Sequence, residues 1–143
     1  MNLDLKPSDL GFDPKRFPSF RPGQLAAAER IALSTKRFVA VCSPTGGGKS
    51  LMYAAAGRLL RHKDAESRAV FLTGLKGLQA QIGKEFSMPT MMGMANYPCV
   101  IAPAGINCDH GICKLGVKCA YQESGCHYFD AAKRARVAAE ISV

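Results

Sequence analysis

Hydrophobic positions along this chain alternate between unbroken runs and helical spacing. Phe38-Val39-Ala40-Val41-Cys42 is an unbroken apolar run of the length expected for a strand buried on both faces. Behind it Leu51, Met52, Ala55, Leu59 and Leu60 recur at helical intervals, the stripe of an amphipathic helix. The pairing then repeats. Ala69-Val70-Phe71-Leu72-Thr73 reads as a second buried strand, and Leu75, Leu78, Ile82 and Phe86 mark the helix behind it. A further helix is predicted from Pro22 to about Leu33, with its proline near the first turn. Strands alternating with helices place the chain in the α/β class, with a parallel sheet flanked by helices.

Both ends depart from that rhythm. Residues 1–18 contain Pro7, Gly11, Pro14 and Pro18 and read as an irregular lead-in. After Pro89 the apolar period is lost over residues 91–128, a glycine- and cysteine-rich stretch that needs something other than a core to fold. Met91, Met92 and Met94 suit packing better than ligation, because a thioether is a weak donor to hard metals. An Ala- and Arg-rich helix is predicted from Tyr128 to Glu140, and Glu140-Ile141-Ser142-Val143 reads as the opening of a strand. The organisation expected is thus 1–18, 19–90, 91–128 and 129–143.

Between the first strand and its helix lies Ser43-Pro44-Thr45-Gly46-Gly47-Gly48-Lys49-Ser50. This is the strand–loop–helix setting of a phosphate-binding P-loop. Gly46, Gly47 and Gly48 open backbone conformations that a Cβ forbids, so successive N–H groups can turn toward phosphate oxygens. The helix N-terminus adds partial positive charge. Lys49 is expected to reach the β- and γ-phosphates, with Ser50 on Mg²⁺ and Thr45 in the loop wall. Ser43 stands where the common signature has glycine, at a strand end where ordinary backbone suffices.

Composition narrows the partners. Nineteen basic residues against eleven acidic ones give a net charge of +8 over 143 residues, which favours polyanions. No stretch is long and apolar enough to span a bilayer, and the first residues lack a signal-peptide layout, so a cytoplasmic or nucleoid-associated protein is expected. Cys42 lies in the first apolar run and reads as a core residue. The other five cysteines, Cys99, Cys108, Cys113, Cys119 and Cys126, crowd together, which in a reducing compartment points to metal rather than disulfides. On the residues alone, four thiolates suit Zn²⁺, with His110 or His127 able to replace one.

Several landmarks resemble a known family. Arg21-Pro22-Gly23-Gln24, Ser43 to Ser50, and Leu72-Thr73-Gly74-Leu75-Lys76-Gly77-Leu78-Gln79-Ala80-Gln81 resemble the Q motif, motif I and motif Ia of superfamily 2 helicases. Asn96-Tyr97-Pro98-Cys99 and Cys126-His127-Tyr128-Phe129-Asp130-Ala131-Ala132-Lys133 resemble the two borders of the cysteine-rich insertion in the iron–sulfur branch typified by XPD and DinG. The resemblance covers about residues 17–143, with its landmarks in the family's order. It implies that residues 19–90 are part of a RecA-like motor lobe and that 91–128 are an iron–sulfur insertion.

The resemblance further implies that Gln24 reads the adenine edge, with Arg21 supporting that pocket, and that Thr73 and Lys76 touch single-stranded or forked DNA. It implies a [4Fe–4S] cluster held by Cys99 and Cys126, with two of Cys108, Cys113 and Cys119 completing the set. Cys113 and Cys119 are favoured because they lead directly into Cys126, with Cys108 the alternative. Lys114, Lys118, Lys133, Arg134 and Arg136 are candidates for a DNA path, beside the plainer reading of a solvated basic surface.

ATP hydrolysis in this fold also needs an acidic Mg²⁺ site, and no Asp-Glu or Asp-Asp pair occurs in the 143 residues. The expectation is therefore the ATP-binding N-terminal part of a larger DNA helicase, inactive alone. Two alternatives stand beside it: a zinc-binding nucleic-acid module with a P-loop, and another P-loop NTPase such as a nucleotide kinase.

Overall fold

The computed structural model describes residues 4–143, so the first three residues of the predicted lead-in lie outside the described residues. The chain divides into two units, Met1–Ala69 and Val70–Val143.

In the first unit the lead-in is built rather than irregular. A 3-10 turn over Pro7–Leu10 is closed by Gly11 at φ 76°, and Pro7, Leu10 and Phe12 are buried. Arg58 fastens this segment: its guanidinium stacks 3.9 Å from the Phe12 ring centre and donates to the Leu10 carbonyl at 3.0 Å. Two helices form the rest, α1 (Gln24–Ala32) and α2 (Lys49–Lys63). They pack on each other. Each buries alanines, Ala28 and Ala32 on α1 and Ala54, Ala55 and Ala56 on α2, whose small side chains let the backbones come close. Arg61, His62 and Lys63 fill the last turn of α2, where the helix dipole favours cations.

The first predicted strand is a correction. Residues 38–42 belong to neither strand of the sheet, and Phe38 is 81% exposed. Cys42, expected in the core, is exposed as well. An apolar run becomes a buried parallel strand only with neighbours on both edges and helices on both faces, and among the described residues this run pairs with no strand.

The second unit contains α3 (Lys76–Phe86), α4 (His127–Val137), β2 (Glu140–Ser142) and all but the first residue of β1 (Ala69–Phe71). The two strands form a small parallel sheet. Val143 N donates to Phe71 O at 2.8 Å and Thr73 N to Val143 O at 3.0 Å. Its neighbour Ser142 turns the other way, with Ser142 N on Pro89 O at 3.0 Å and Met91 N on Ser142 O at 2.9 Å. Successive residues of a strand address opposite neighbours, so the end of the chain runs between β1 and residues 89–91. The strand expected over 69–73 is real but one-sided: Val70 and Leu72 are exposed, Leu72 to 79%.

Gln79, 4% exposed, locks the arrangement from α3. Its Nε2 donates to Met91 O at 2.7 Å and Ser142 O at 3.2 Å, while the Ser142 hydroxyl reaches back to Gln79 O at 3.5 Å. Gly83 allows the close approach of the same helix, since a Cβ there would lie 2.4 Å from the Thr90 Cγ2. Met91 and Ser142 bracket the cysteine-rich segment, which leaves and returns at one place. Within it the chain makes short 3-10 turns (Met94–Asn96, Cys108–His110, Ile112–Leu115 and Ala120–Gln122) and a bridge between Pro98 and Asn107. Among the described residues no helix is long and apolar enough to cross a membrane.

Candidate nucleotide loop and cysteine cluster

The glycine-rich loop joins the extended run to α2, which begins at Lys49 as expected. Gly46 and Gly48 adopt φ 78° and 72°, left-handed values open chiefly to glycine. The loop is held by three side chains, each acting on its carbonyls. Lys49 Nζ donates to Ser43 O at 2.9 Å and Pro44 O at 3.1 Å. The Arg21 guanidinium donates to Gly46 O. Gln24, only 6% exposed, donates through Nε2 to Gly47 O at 3.0 Å and Gly48 O at 3.2 Å.

Arg21 also places Gln24, because its backbone N–H donates to Gln24 Oε1 at 2.8 Å. Arg21 and Gln24, the residues expected beside the base, both engage the loop carbonyls in the fold. Gly48 is the residue that permits it: a Cβ there would sit 2.2 Å from Gln24 Nε2. Ser50 follows Lys49 in the first turn of α2, and Thr45 and Gly46 stand exposed at the loop's outer turn. Gly47 N donates to Pro44 O at 3.1 Å within the loop, which leads into the N-terminus of α2.

Thr73 and Lys76 lie in the second unit, at the start of α3. The Thr73 hydroxyl accepts the Leu75 N–H at 3.2 Å, a turn closure that leads into the helix. Lys76 is exposed in the first turn, where the helix dipole disfavours a cation.

The cysteines are unequally placed. Cys108 is 2% exposed, and burial pushes its thiol up to about 11, reinforced first by Cys126 through charge and a hydrogen bond, then by Cys99 and Cys113. Cys126 is buried at the start of α4, and Cys99 and Cys113 are partly exposed. Gly111 makes room among them, since a Cβ would meet the Cys99 sulfur at 3.2 Å. Cys119 is partly exposed at the head of the Ala120–Gln122 turn and is absent from the groups acting on Cys108.

Cys99 and Cys108 lie on either side of Gly111, and the Cys113 thiol reaches Cys108 O at 3.9 Å. The return of the chain after Cys99 explains this: Cys99 N donates to Ile106 O and Cys108 N to Tyr97 O, folding Cys108 back beside it. The Pro103-Ala104-Gly105 triplet is the signal in the sequence for that return. Among the described residues no three His, Cys, Asp or Glu side chains are close enough to hold a metal ion as they stand.

A sequence model of DEAD/DEAH box helicases matches residues 21–102, more than half of the chain. The chain belongs to the DEAD/DEAH box helicase family. The match begins at Arg21, spans the glycine-rich loop and the start of α3, and ends before Cys108. No curated protein and no solved structure matches the chain. Membership supports an ATP-dependent helicase-type function in general and implies ATP, Mg²⁺ and a nucleic acid.

Proposed function

We propose that this helicase chain forms the nucleotide-grasping part of an ATP-dependent DNA helicase of the iron–sulfur type. Lys49 and Ser50 receive the phosphates and Mg²⁺, with Thr45 and Gly46 to Gly48 as the cradle. Thr73 and Lys76 contact the backbone of single-stranded DNA, a sequence-blind contact. The 143 residues hold no Asp-Glu or Asp-Asp pair for Mg²⁺. We therefore assign them nucleotide binding, with hydrolysis and strand separation belonging to the whole protein.

The observation that supports the finer reading is the crowding of five cysteines into one glycine-rich segment, where Gly111 lies beside the Cys99 sulfur and the Cys108 backbone and the Cys113 thiol reaches Cys108 O at 3.9 Å. Four thiols in one polar, glycine-rich segment suit a four-thiolate site, and we choose Cys108, the alternative to Cys119, as the fourth ligand. A [4Fe–4S] cluster bound there contributes folding energy by tying together a stretch without a core of its own. The residues do the rest: Gln79 holds both ends of the segment, and Tyr97 and Tyr128, with ring centres 5.7 Å apart, pack between the flanks of Cys99 and Cys126.

Anaerobic purification followed by iron, labile-sulfide and zinc analysis tests this reading. About four irons and four sulfides per chain are expected for one cluster. Replacement of Cys108 should abolish them and replacement of Cys119 should not. Zinc without labile sulfide would overturn the cluster in favour of a zinc module.

A further inference from the structure

Resting on the reading of the clustered cysteines as a four-thiolate metal site, we propose that Asp130 and Lys133 are positioning residues for Cys126. Both stand on α4 at helical spacing, so they share one face of it. Both reach back to the loop that ends at Cys126. The Asp130 carboxylate accepts the Gly125 N–H through Oδ2 at 3.2 Å, and Lys133 Nζ donates to Glu123 O. Charge matches backbone polarity at each point, an anion on an N–H and a cation on a carbonyl. Such charge-assisted bonds are roughly twice as strong as neutral ones.

The loop itself is a tight reversal. Gly125 turns it at φ 92°, and Cys126 N donates to Tyr121 O at 3.1 Å. Cys126 O then accepts the Asp130 N–H at 2.8 Å as α4 begins. Asp130 thus brackets the cysteine, with its backbone on Cys126 and its carboxylate on the residue before. Cys126 is buried, and a single torsion joins its Cα to its sulfur, so the thiol follows the backbone that carries it. A carboxylate in the first turn favours a helix wherever it points. Here it points at the loop, together with a lysine that serves the same loop. A metal held by several thiolates leaves only after one of them swings away, and a thiolate on a gripped loop swings least. The two contacts therefore act on retention of the metal more than on α4. Lys133 keeps further N–H donors, so this role does not remove it from the basic surface.

The test challenges the anaerobically purified chain with a chelator. Release is followed by loss of visible cluster absorbance or, for zinc, by a zinc-binding dye. Asp130→Ala should release metal about tenfold faster than the unsubstituted chain, the scale of one charge-assisted hydrogen bond. Its initial metal content and absorbance spectrum should be unchanged. Asp130→Asn keeps an oxygen without the charge; it should fall between the two, and it serves if the alanine variant does not fold. Ala132→Gly lowers helix propensity in the middle of α4 and should release metal at the original rate. Equal acceleration by Ala132→Gly would make Asp130 a helix-stabilising residue and overturn the proposal. An unchanged rate in Asp130→Ala would overturn it as well. A chain that binds neither iron nor zinc with its five clustered cysteines intact would fail one step earlier, removing the four-thiolate reading and this role with it.

Discussion

Single side chains in this protein are distinguished by what the fold lets them reach. The six cysteines show it best. Cys42 is exposed and Cys108 is buried with three thiols acting on it. The thiolate is the reactive form, so both access and the upward shift protect Cys108. In metal-free protein at pH 8, iodoacetamide should modify Cys42 first and Cys108 last, as read by peptide mass spectrometry. The sign of the pH effect follows from the raised value: Cys108 keeps its proton through the range where an ordinary thiol ionises, and its labelling should rise only as pH approaches about 11. Early labelling of Cys108 would mean that the cluster of thiols does not form in solution.

At the scale of elements, α3 holds both ends of the cysteine-rich segment through Gln79. Gln79 is buried, and its amide supplies the side-chain donor to the Met91 and Ser142 carbonyls. Leaving buried acceptors without a donor costs about 1–3 kcal/mol each when water cannot replace it. Ser142 O also accepts the Met91 N–H, so the lower end applies. Gln79→Ala should cost about 2 kcal/mol of stability, seen as a lower urea midpoint. A loss below about 0.5 kcal/mol, the scale of an ordinary surface substitution, would show that the ladder bonds alone hold the segment.

The helices were legible before any fold was known, and the physical reason is local. α1, α2 and α3 carry their apolar stripe within one sequence window, and α2 begins at Lys49 because the preceding glycines permit the turn into it. The strands were not legible in the same way. Their pairing is between residues far apart, and an apolar run such as 38–42 states a preference that only a neighbour can satisfy. Likewise the lead-in holds prolines and glycine, so local rules predict irregularity, while Arg58 from a distant helix gives it a docking place.

For the molecule as a whole, charge sets what it meets. A net +8 spread over both units favours a polyanion, and Lys76, Lys133 and Arg136 stand exposed in the second unit. If about three phosphates are neutralised, single-stranded DNA binding should fall with salt at a slope of about −2 in log K against log salt. Fluorescence anisotropy across a salt series checks this. A flat dependence would sink the basic residues as a nucleic-acid path and leave them as a solubilising surface.

Motif chemistry is a property of residue order, and order alone determined that a glycine-rich Gly-Lys-Ser loop lies between an apolar run and a helix. It also determined that five cysteines crowd into a segment unable to build a core. What those residues engage was a matter for the tertiary structure. Gln24 meets loop carbonyls because α1 lies against the loop, and Cys108 joins Cys99 because the chain turns back through residues 103–105. Both outcomes rest on hydrogen bonds and burial set by chain reversal and helix packing, interactions that no window of neighbouring residues contains.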